Sequence, residues 1–173
     1  MATTIAELTP TQLEFRAAMA NLSAGVNVVT TDGEHGRAGT TVSAVCSVTD
    51  APPTMIVCIN KSASSHEAFM ANNKIAINVL AHVQKDIALV FANATDTPRE
   101  KRFDDPRWNV ASHGVPVLEG AAASLVGRIG SVSHQGSHSV LFVEIEDVVT
   151  NPETRGLVYF QRGFHSVGLD MAD

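Results

Sequence analysis

The sequence predicts a mainly β protein with a few short helices, folded into a closed or nearly closed barrel. Short segments rich in Val, Ile, Thr and Ser recur between turn signals, which is the pattern of many antiparallel strands. Few segments have helical spacing, too few to cover both faces of a parallel sheet. With 173 residues and a mass of 18.3 kDa, the chain is expected to form one domain over residues 1–173.

The first predicted helix begins at Pro10, which suits the first helical position because it lacks an N–H group. Thr9 can cap this helix, and Gln12 has the spacing to complete a capping box with it. The partly apolar face that includes Leu13 and Met19 is expected to pack on a sheet.

Two further short helices are predicted. One covers residues 64–72, where Ser64 and Glu67 have the spacing of a second capping box. The other covers residues 83–94, where apolar side chains recur at helical intervals.

Strands are predicted over residues 26–31, 37–48, 54–59, 74–80, 124–133, 139–149 and 156–161. In the sixth of these, Leu141 and Val143 alternate with Phe142 and Glu144, so one face is expected to be apolar. Turn signals lie at Asp32-Gly33, at Pro52-Pro53 and over residues 134–138. Residues 96–120 are polar and contain three prolines, so they are expected to cross the surface.

Composition and charge exclude several classes of function. The net charge of −6 disfavours nucleic-acid binding, which needs clustered Lys and Arg. No segment has the roughly 20 apolar residues of a membrane span, and residues 1–15 lack the features of a secretory signal. The expected location is therefore the cytoplasm. Cys46 and Cys58 have no metal or redox spacing and are expected to be reduced thiols.

The first candidate site covers residues 39–49, where small hydroxyl side chains leave backbone N–H and C=O groups accessible. Such groups can bind the edge of a flat heterocycle, although an ordinary Thr/Ser-rich edge strand has the same composition. Because the sequence contains no G-x-G-x-x-G motif and no P-loop, any nucleotide must be held in another way.

The second candidate site covers residues 60–66, between a predicted buried strand and a predicted helix. Hydroxyl groups and Lys61 could bind an anion there, and the alternative is a capped helix with no ligand. The third covers residues 159–165, where Arg162 and Phe164 could steady a phosphate or stack on a ring. The alternative there is an aromatic core strand with an exposed Arg.

The histidines predict no metal site. His113, His134 and His138 have no acidic or thiol residue at a sequence spacing typical of metal ligands. Zinc sites need three or four well-placed ligands. A functional His138 remains open, because it follows a glycine turn that can bring the chain close to a ligand.

These segments, in this order, resemble the short-chain flavin reductase family, and within it the reductase components of two-component 4-hydroxyphenylacetate 3-monooxygenases. The most specific match is GTTVSAVCSVTDAPPTMIVCINKSASS, residues 39–65. Residues 15–33, 77–80, 136–148 and 156–165 also match, so the resemblance covers most of the chain.

The resemblance implies a six-stranded Greek-key split barrel with helical additions, the FMN-binding fold of this family. It implies FMN and NADH as cofactors and a homodimer with flavin sites near its interface. His138 would lie near the nicotinamide. The implied ring contacts are Thr41, Val42, Ser43, Ala44 and Ser47, the implied phosphate contacts are Asn60, Lys61, Ser62 and Ser65, and Arg162 and Phe164 complete the candidate cofactor-binding set.

Two departures from the family limit what can be transferred. The family often has Gly-Asp-His where this chain has Gly136-Ser137-His138, and many relatives have Ser where this chain has Ala44. Three functions remain open: an NAD(P)H:flavin reductase that supplies a monooxygenase, a flavin-dependent reductase of corrinoid cobalt, and a non-catalytic flavin-binding protein. Acceptor choice depends on loop shape, which the sequence does not specify.

Overall fold

A seven-stranded antiparallel sheet forms the body of the computed structural model, which describes residues 8–110 and 114–168. The helices are α1 (Pro10–Met19), α2 (His66–Asn72) and α3 (Lys85–Phe91), with 3₁₀ turns at His82–Gln84 and Arg99–Lys101. The strands are β1 (Ala24–Gly25), β2 (Asn27–Thr31), β3 (Ala38–Val42), β4 (Val45–Asp50), β5 (Pro53–Asn60), β6 (Lys74–Val79), β7 (Trp108–Asn109), β8 (Val117–Leu118), β9 (Ala123–Gln135), β10 (His138–Thr150), β11 (Gly156–Phe160) and β12 (Gly163–Val167).

The order of strands in the main sheet is β3-β2-β6-β9-β10-β5-β4. The edge strands β3 and β4 are thus at opposite ends of the sheet, yet only Ser43 and Ala44 separate them in the chain. Because consecutive Cα atoms are about 3.8 Å apart, the sheet must curl until its two edges meet. The result is a split barrel, which confirms the predicted fold class, although the sheet has seven strands where the resemblance implied six.

The interior of the barrel is apolar, as the alternation in the predicted strands requires. Leu141 and Val143 of β10 are fully buried and pack with Val57, Ile77 and Phe69. The β9–β10 hairpin turns at Gly136, whose φ of 53° is in the left-handed region that glycine tolerates. The turn predicted over residues 134–138 is confirmed, but it is shorter than predicted, because Gln135 pairs with His138 across the hairpin.

A second core lies on the outer side of the sheet, beneath α3. Phe91, Phe103 and Trp108 form three edge-to-face contacts with ring centroids 5.0 to 5.3 Å apart. Trp108 and Leu118 are buried in this core, and Val115 is fully buried in a separate cluster with Ala76, Val117 and Val126. The prediction that residues 96–120 only cross the surface is therefore wrong, because their few apolar side chains anchor the segment to α3.

The capping box of α1 is confirmed: Thr9 N–H donates to Gln12 Oε1 and Gln12 N–H to Thr9 Oγ1. We predicted that α1 packs on a sheet. Within a single chain this prediction is wrong, because no residue of α1 is buried. Leu13 and Phe15 keep 55% and 62% of their surface exposed.

The capping box predicted for the second helix is also wrong. α2 begins at His66, its N-cap is Ser65, and no side chain caps it. The third predicted helix is confirmed as a 3₁₀ turn followed by α3.

The last predicted strand is confirmed as β11, but a further strand, β12, follows it. Gln161 and Arg162 join the two strands in a tight turn, and both have positive φ. Neither residue type is typical of such a turn, so the sequence did not predict it. With β1 they form a separate three-stranded sheet. None of the helices in the described ranges has the length and apolar character that a membrane crossing needs.

Candidate functional site

The connection between β3 and β4 is the centre of the candidate site. Its carbonyl groups are fixed, because Ser43 accepts from Val45 N–H and Ala44 accepts from Cys58 N–H, each at 3.0 Å. No hydrogen bond from the N–H group of Ser43 or Ala44 is present among the described residues. Both residues are exposed, so two backbone donors are presented to a ligand at the seam of the barrel.

A cleft of about 320 Å³ lies on one side of this connection. We call it the aromatic cleft. Its volume is at the lower end of the range for small-molecule pockets. Tyr159 and Phe164 meet edge to face at 5.2 Å in its wall, and Lys85 Nζ lies 5.4 Å from the centre of the Phe164 ring. Its lining residues are Val26, Thr41, Val42, Ser43, Leu89, Ala92, Ala94, Tyr159 and Phe164.

A cleft of about 220 Å³ lies on the other side. We call it the histidine cleft. His138 pairs directly with Asn60 in the β10–β5 ladder, which brings the candidate histidine to the second candidate segment. Burial, together with nearby Cys46, raises the pKa of the Cys58 thiol, so this part of the wall is uncharged at neutral pH. The lining residues are Thr40, Thr41, Val42, Ser43, Ala44, Cys58, Ile59, Asn60, Ala63 and His138.

The side chains predicted to contact phosphate are largely engaged within the protein. Asn60 Oδ1 accepts hydrogen bonds from both the N–H and the hydroxyl of Ser62, each at 2.9 Å. Lys61 Nζ donates to the carbonyl of Gly136 at 2.9 Å, across the β9–β10 turn. This segment therefore holds the turn that carries His138.

Ser65 lies apart from those three residues. It is buried and lines a third cleft, of about 110 Å³, which we call the arginine cleft. That cleft is lined by Arg37, Ala38, Gly39, Ser64, Ser65, Phe91, Arg99, Arg102 and Phe103.

Three other residues that were predicted to contact the flavin, Thr41, Ser47 and Arg162, are less directly placed for that role. The Thr41 hydroxyl donates to the carbonyl of Ala88 at 2.7 Å and ties β3 to α3, so its proton is not available to a ligand. Ser47 lies further along β4 and lines neither the aromatic nor the histidine cleft. Arg162 is exposed in the β11–β12 turn and also lines neither cleft.

Sequence reasoning missed the contribution of α3 to the aromatic cleft. Leu89, Ala92 and Ala94 line it from the end of this helix. The helical spacing of residues 83–94 predicts the helix, but the face that meets the barrel seam depends on the Thr41–Ala88 contact, which is distant in sequence.

Two other histidines, His66 and His134, contact the β9–β10 hairpin. The buried Ser139 hydroxyl lies 2.8 Å from His66 Nε2 and 3.0 Å from His134 Nδ1, linking α2 to β9. His113 is outside the described residues. In residues 8–110 and 114–168, no group of three or more His, Cys, Asp or Glu side chains is placed to hold a metal ion.

Comparison with known proteins identifies the family. Residues 19–168 match the Flavin reductase like domain. The chain is 47% identical over 161 residues to the 4-hydroxyphenylacetate 3-monooxygenase reductase component of Pseudomonas aeruginosa, covering 93% of this chain and 95% of the relative. It is 45% identical over 159 residues to the FMN reductase (NADH) RutF of Enterobacter cloacae, covering 92% and 96%.

Solved structures agree with this relationship. The NADH:FAD oxidoreductase SgcE6 of Streptomyces globisporus, in complex with NAD and FAD fragments, superposes with a TM-score of 0.85 at 27% identity, covering 97% of this chain and 100% of that one. The domain match, the sequence relatives and the shared fold agree over nearly the whole chain, which therefore belongs to the flavin reductase family.

Proposed function

We propose that this protein is an NADH-dependent flavin reductase that supplies reduced FMN to a partner flavin-dependent monooxygenase. The observation that carries the proposal is the β3–β4 connection, which presents the N–H groups of Ser43 and Ala44 between two clefts. The relatives named as a monooxygenase reductase component and as an NADH-dependent FMN reductase support the choice of acceptor and donor.

The residues present fit a flavin. A flat ring needs a slot with apolar walls and polar donors at one edge, and the aromatic and histidine clefts share Thr41, Val42 and Ser43 as a common rim. These residues would hold a flavin, which when bound would supply the redox chemistry of hydride transfer from the reduced nicotinamide. The N–H groups of Ser43 and Ala44 would stabilise negative charge on the ring edge nearest to them.

His138 would orient the nicotinamide. Its side chain is exposed at the wall of the histidine cleft, and its Nδ1 lies 2.9 Å from Ser137 Oγ, which constrains the ring. Ser137 thus contacts the imidazole from the position where the resemblance led us to expect an aspartate. On the other side, Phe164 would pack against the ligand from the aromatic cleft.

A cytoplasmic homodimer is part of the proposal. The exposed apolar side chains of Leu13, Phe15, Met19 and Leu22 lie on or just after α1, a helix with no buried residue. Burial of such side chains between two copies would remove apolar surface from water.

The experiment that tests the proposal is NADH oxidation by the purified protein with FMN, FAD or a cobalt corrinoid as acceptor. We expect steady turnover with FMN, unchanged after dialysis against EDTA, and transfer of the reduced flavin to a monooxygenase. Cobalt reduction faster than free reduced flavin achieves would instead identify a corrinoid reductase. No NADH oxidation with any acceptor would identify a flavin-binding protein without catalytic activity.

A further inference from the structure

A buried hydroxyl group lies in the apolar interior of the barrel. Ser139 of β10 is fully buried. It pairs with Ile59 of β5 and lies two residues before Leu141, and both of these are buried members of the barrel core. A hydroxyl group in such surroundings is unfavourable unless it is hydrogen-bonded. Its partners therefore indicate why a serine, and not a small apolar residue, occupies this position.

The partners of Ser139 are two imidazoles from different elements. His66 Nε2 lies 2.8 Å from Ser139 Oγ, and His134 Nδ1 lies 3.0 Å from it. We call these three residues the serine–histidine cluster. A hydroxyl group has one proton and two lone pairs, and a neutral imidazole has one N–H and one bare nitrogen. With both rings neutral, the hydroxyl donates to one ring and accepts from the N–H of the other, so both contacts are hydrogen bonds at the same time.

The cluster is anchored on α2. His66 is the first residue of this helix. Phe69 lies three positions later, and therefore on the same side of the helix, and is fully buried in the barrel core. The N–H of His66 also donates to the carbonyl of Ala63 at 2.9 Å. The imidazole that bonds to Ser139 thus belongs to a helix that is fixed on the barrel.

The β9–β10 hairpin is attached to the same segment at a second place, its turn. The N–H of Lys61 donates to the carbonyl of Ser137 and its Nζ donates to the carbonyl of Gly136, each at 2.9 Å. Ser137 and Ser139 are the two neighbours of His138 in the chain. His138 therefore lies between two attachments of the hairpin to residues 61–66.

The contact made by Ser139 acts on His138 through the main chain. Side chains alternate between the two faces of a strand, so Ser139 points into the barrel whereas His138 lines the histidine cleft. Asn60 and Ala63 line the same cleft from the segment to which the hairpin is attached. A shift of the hairpin relative to α2 would therefore move the imidazole of His138 relative to the opposite wall. Functional groups in enzymes need to be held to within about 0.5 Å.

We propose that Ser139 is a positioning residue for His138. By bonding to His66 on α2 and to His134 on β9, it fixes the end of the hairpin where the imidazole of His138 meets the nicotinamide. The inference rests on the proposed function, because it requires a nicotinamide in the histidine cleft. Ser139 is buried behind the strand and takes no direct part in hydride transfer.

The test measures hydride transfer from NADH to bound FMN by anaerobic stopped flow, together with FMN affinity by fluorescence and stability by urea unfolding. Ser139→Ala removes the hydroxyl group. His66→Leu removes one of its partners and keeps the test valid if Ser139→Ala folds poorly, whereas His66→Gln retains a polar group near the position of Nε2. The control is Ser133→Ala, because Ser133 is an exposed serine on β9, one residue from His134.

We expect Ser139→Ala and His66→Leu to slow hydride transfer about tenfold, because a small displacement of a positioned group has a large effect on rate. FMN affinity should change little, since the proposed ring contacts lie on the β3–β4 connection. His66→Gln should recover most of the wild-type rate, and Ser133→Ala should match the wild type.

A double variant distinguishes positioning from a purely structural role. If Ser139 acts through His138, then Ser139→Ala in a His138→Ala background should slow hydride transfer by less than about twofold, because the residue that it positions is already absent. An independent structural effect would persist at its full size in that background. Lower stability in urea with a normal hydride-transfer rate would also indicate a structural role only.

Three results would overturn the inference while leaving flavin reduction intact. These are a wild-type rate in folded Ser139→Ala, an equal loss of rate in the presence and absence of His138, and a wild-type rate in His138→Ala itself. Failure of the wild type to oxidise NADH with any flavin would instead remove the proposed function, and the inference with it.

Discussion

His138 lies directly opposite Asn60 in the antiparallel ladder between β10 and β5. The two residues are 78 positions apart in the sequence, yet the ladder places both at the wall of the histidine cleft. Lys61 reinforces this arrangement by donating from its side chain to Gly136, in the turn before His138. The main chain of His138 is therefore positioned by backbone pairing and by Lys61, and its ring is constrained by Ser137.

Replacement of His138 by Ala should slow hydride transfer from NADH or raise the apparent KM for NADH. FMN affinity should change little, because the proposed ring and phosphate contacts lie in other segments. Anaerobic stopped-flow reduction of the bound flavin separates the rate from the affinity. His35→Ala, in the exposed β2–β3 loop, is the control. A folded His138→Ala variant with normal rate and normal NADH affinity would exclude this residue from the reaction.

Gly39 should tolerate no side chain. A Cβ at this position would lie 2.7 Å from the Phe91 ring and 3.1 Å from the carbonyl oxygen of Val29. We expect Gly39→Ala to lower the free energy of unfolding by about 1–3 kcal/mol, the usual cost of overpacking. Urea denaturation measures it, and Gly25→Ala is the control, because nothing lies within 4 Å of a Cβ there. Equal stability of the two variants would show that α3 moves away freely.

The ion pairs of Arg107 should make stability depend on pH. Arg107 bonds to both oxygens of Asp105 at 2.8 and 2.9 Å and to Asp86 at 2.6 Å. The hydrogen bond from Arg107 lowers the pKa of Asp105 below its usual 3.8, so its stabilisation is complete above that value. It is lost as the pH falls from 3.8 through the folded-state pKa.

Asp105→Asn should therefore cost about 1 kcal/mol at pH 7, in the range of partly exposed ion pairs, and less near pH 3, which is below the usual pKa of 3.8. Denaturant unfolding at the two pH values gives the comparison. Asp104→Asn serves as the control, since Asp104 is exposed and forms no ion pair among the described residues. A cost of Asp105→Asn that does not vary with pH would mean that the charge of Asp105 is unimportant.

The exposed apolar residues of α1 should belong to a subunit interface. We expect light scattering to give about twice the 18.3 kDa chain mass for the wild type. Phe15→Glu should shift the protein toward the monomer, because a buried, unpaired carboxylate is strongly unfavourable. Glu14→Gln, on the same helix, should leave the mass unchanged. A monomeric wild type that still reduces flavin would show that dimerisation is unnecessary.

Local signals in the sequence predicted local structure well. The Thr9–Gln12 capping box and Pro10 determine where α1 begins, and the alternation around Leu141 identifies the buried face of β10. The same kind of signal failed at Ser64 and Glu67. Spacing shows that a capping box is possible, but it does not show which residue starts the helix.

The candidate site was predicted as separate segments of contiguous residues, without the contacts that bring those segments together. Residues 41–44 were predicted together because one segment carries them all, and the fold places that segment where the two edges of the sheet meet. The arginine cleft could not be found in this way, because Arg37 and Arg102 are brought together only by the packing of Phe91, Phe103 and Trp108. Lys61 and Ser62 were predicted as phosphate contacts, but the bond by which Lys61 holds the β9–β10 turn depends on a hairpin that is distant in sequence.

The two-residue join between β3 and β4 has a consequence for protection from deuterium exchange. β9 and β10 each have hydrogen-bonded neighbours on both sides, whereas β3 and β4 have one each. Amide hydrogens on the open sides of these edge strands should therefore exchange faster than those of the central strands. A ligand seated against Ser43 and Ala44 would bridge both edges at once, so its binding should slow exchange in β3 and β4 together, as if a missing strand had been added to the barrel.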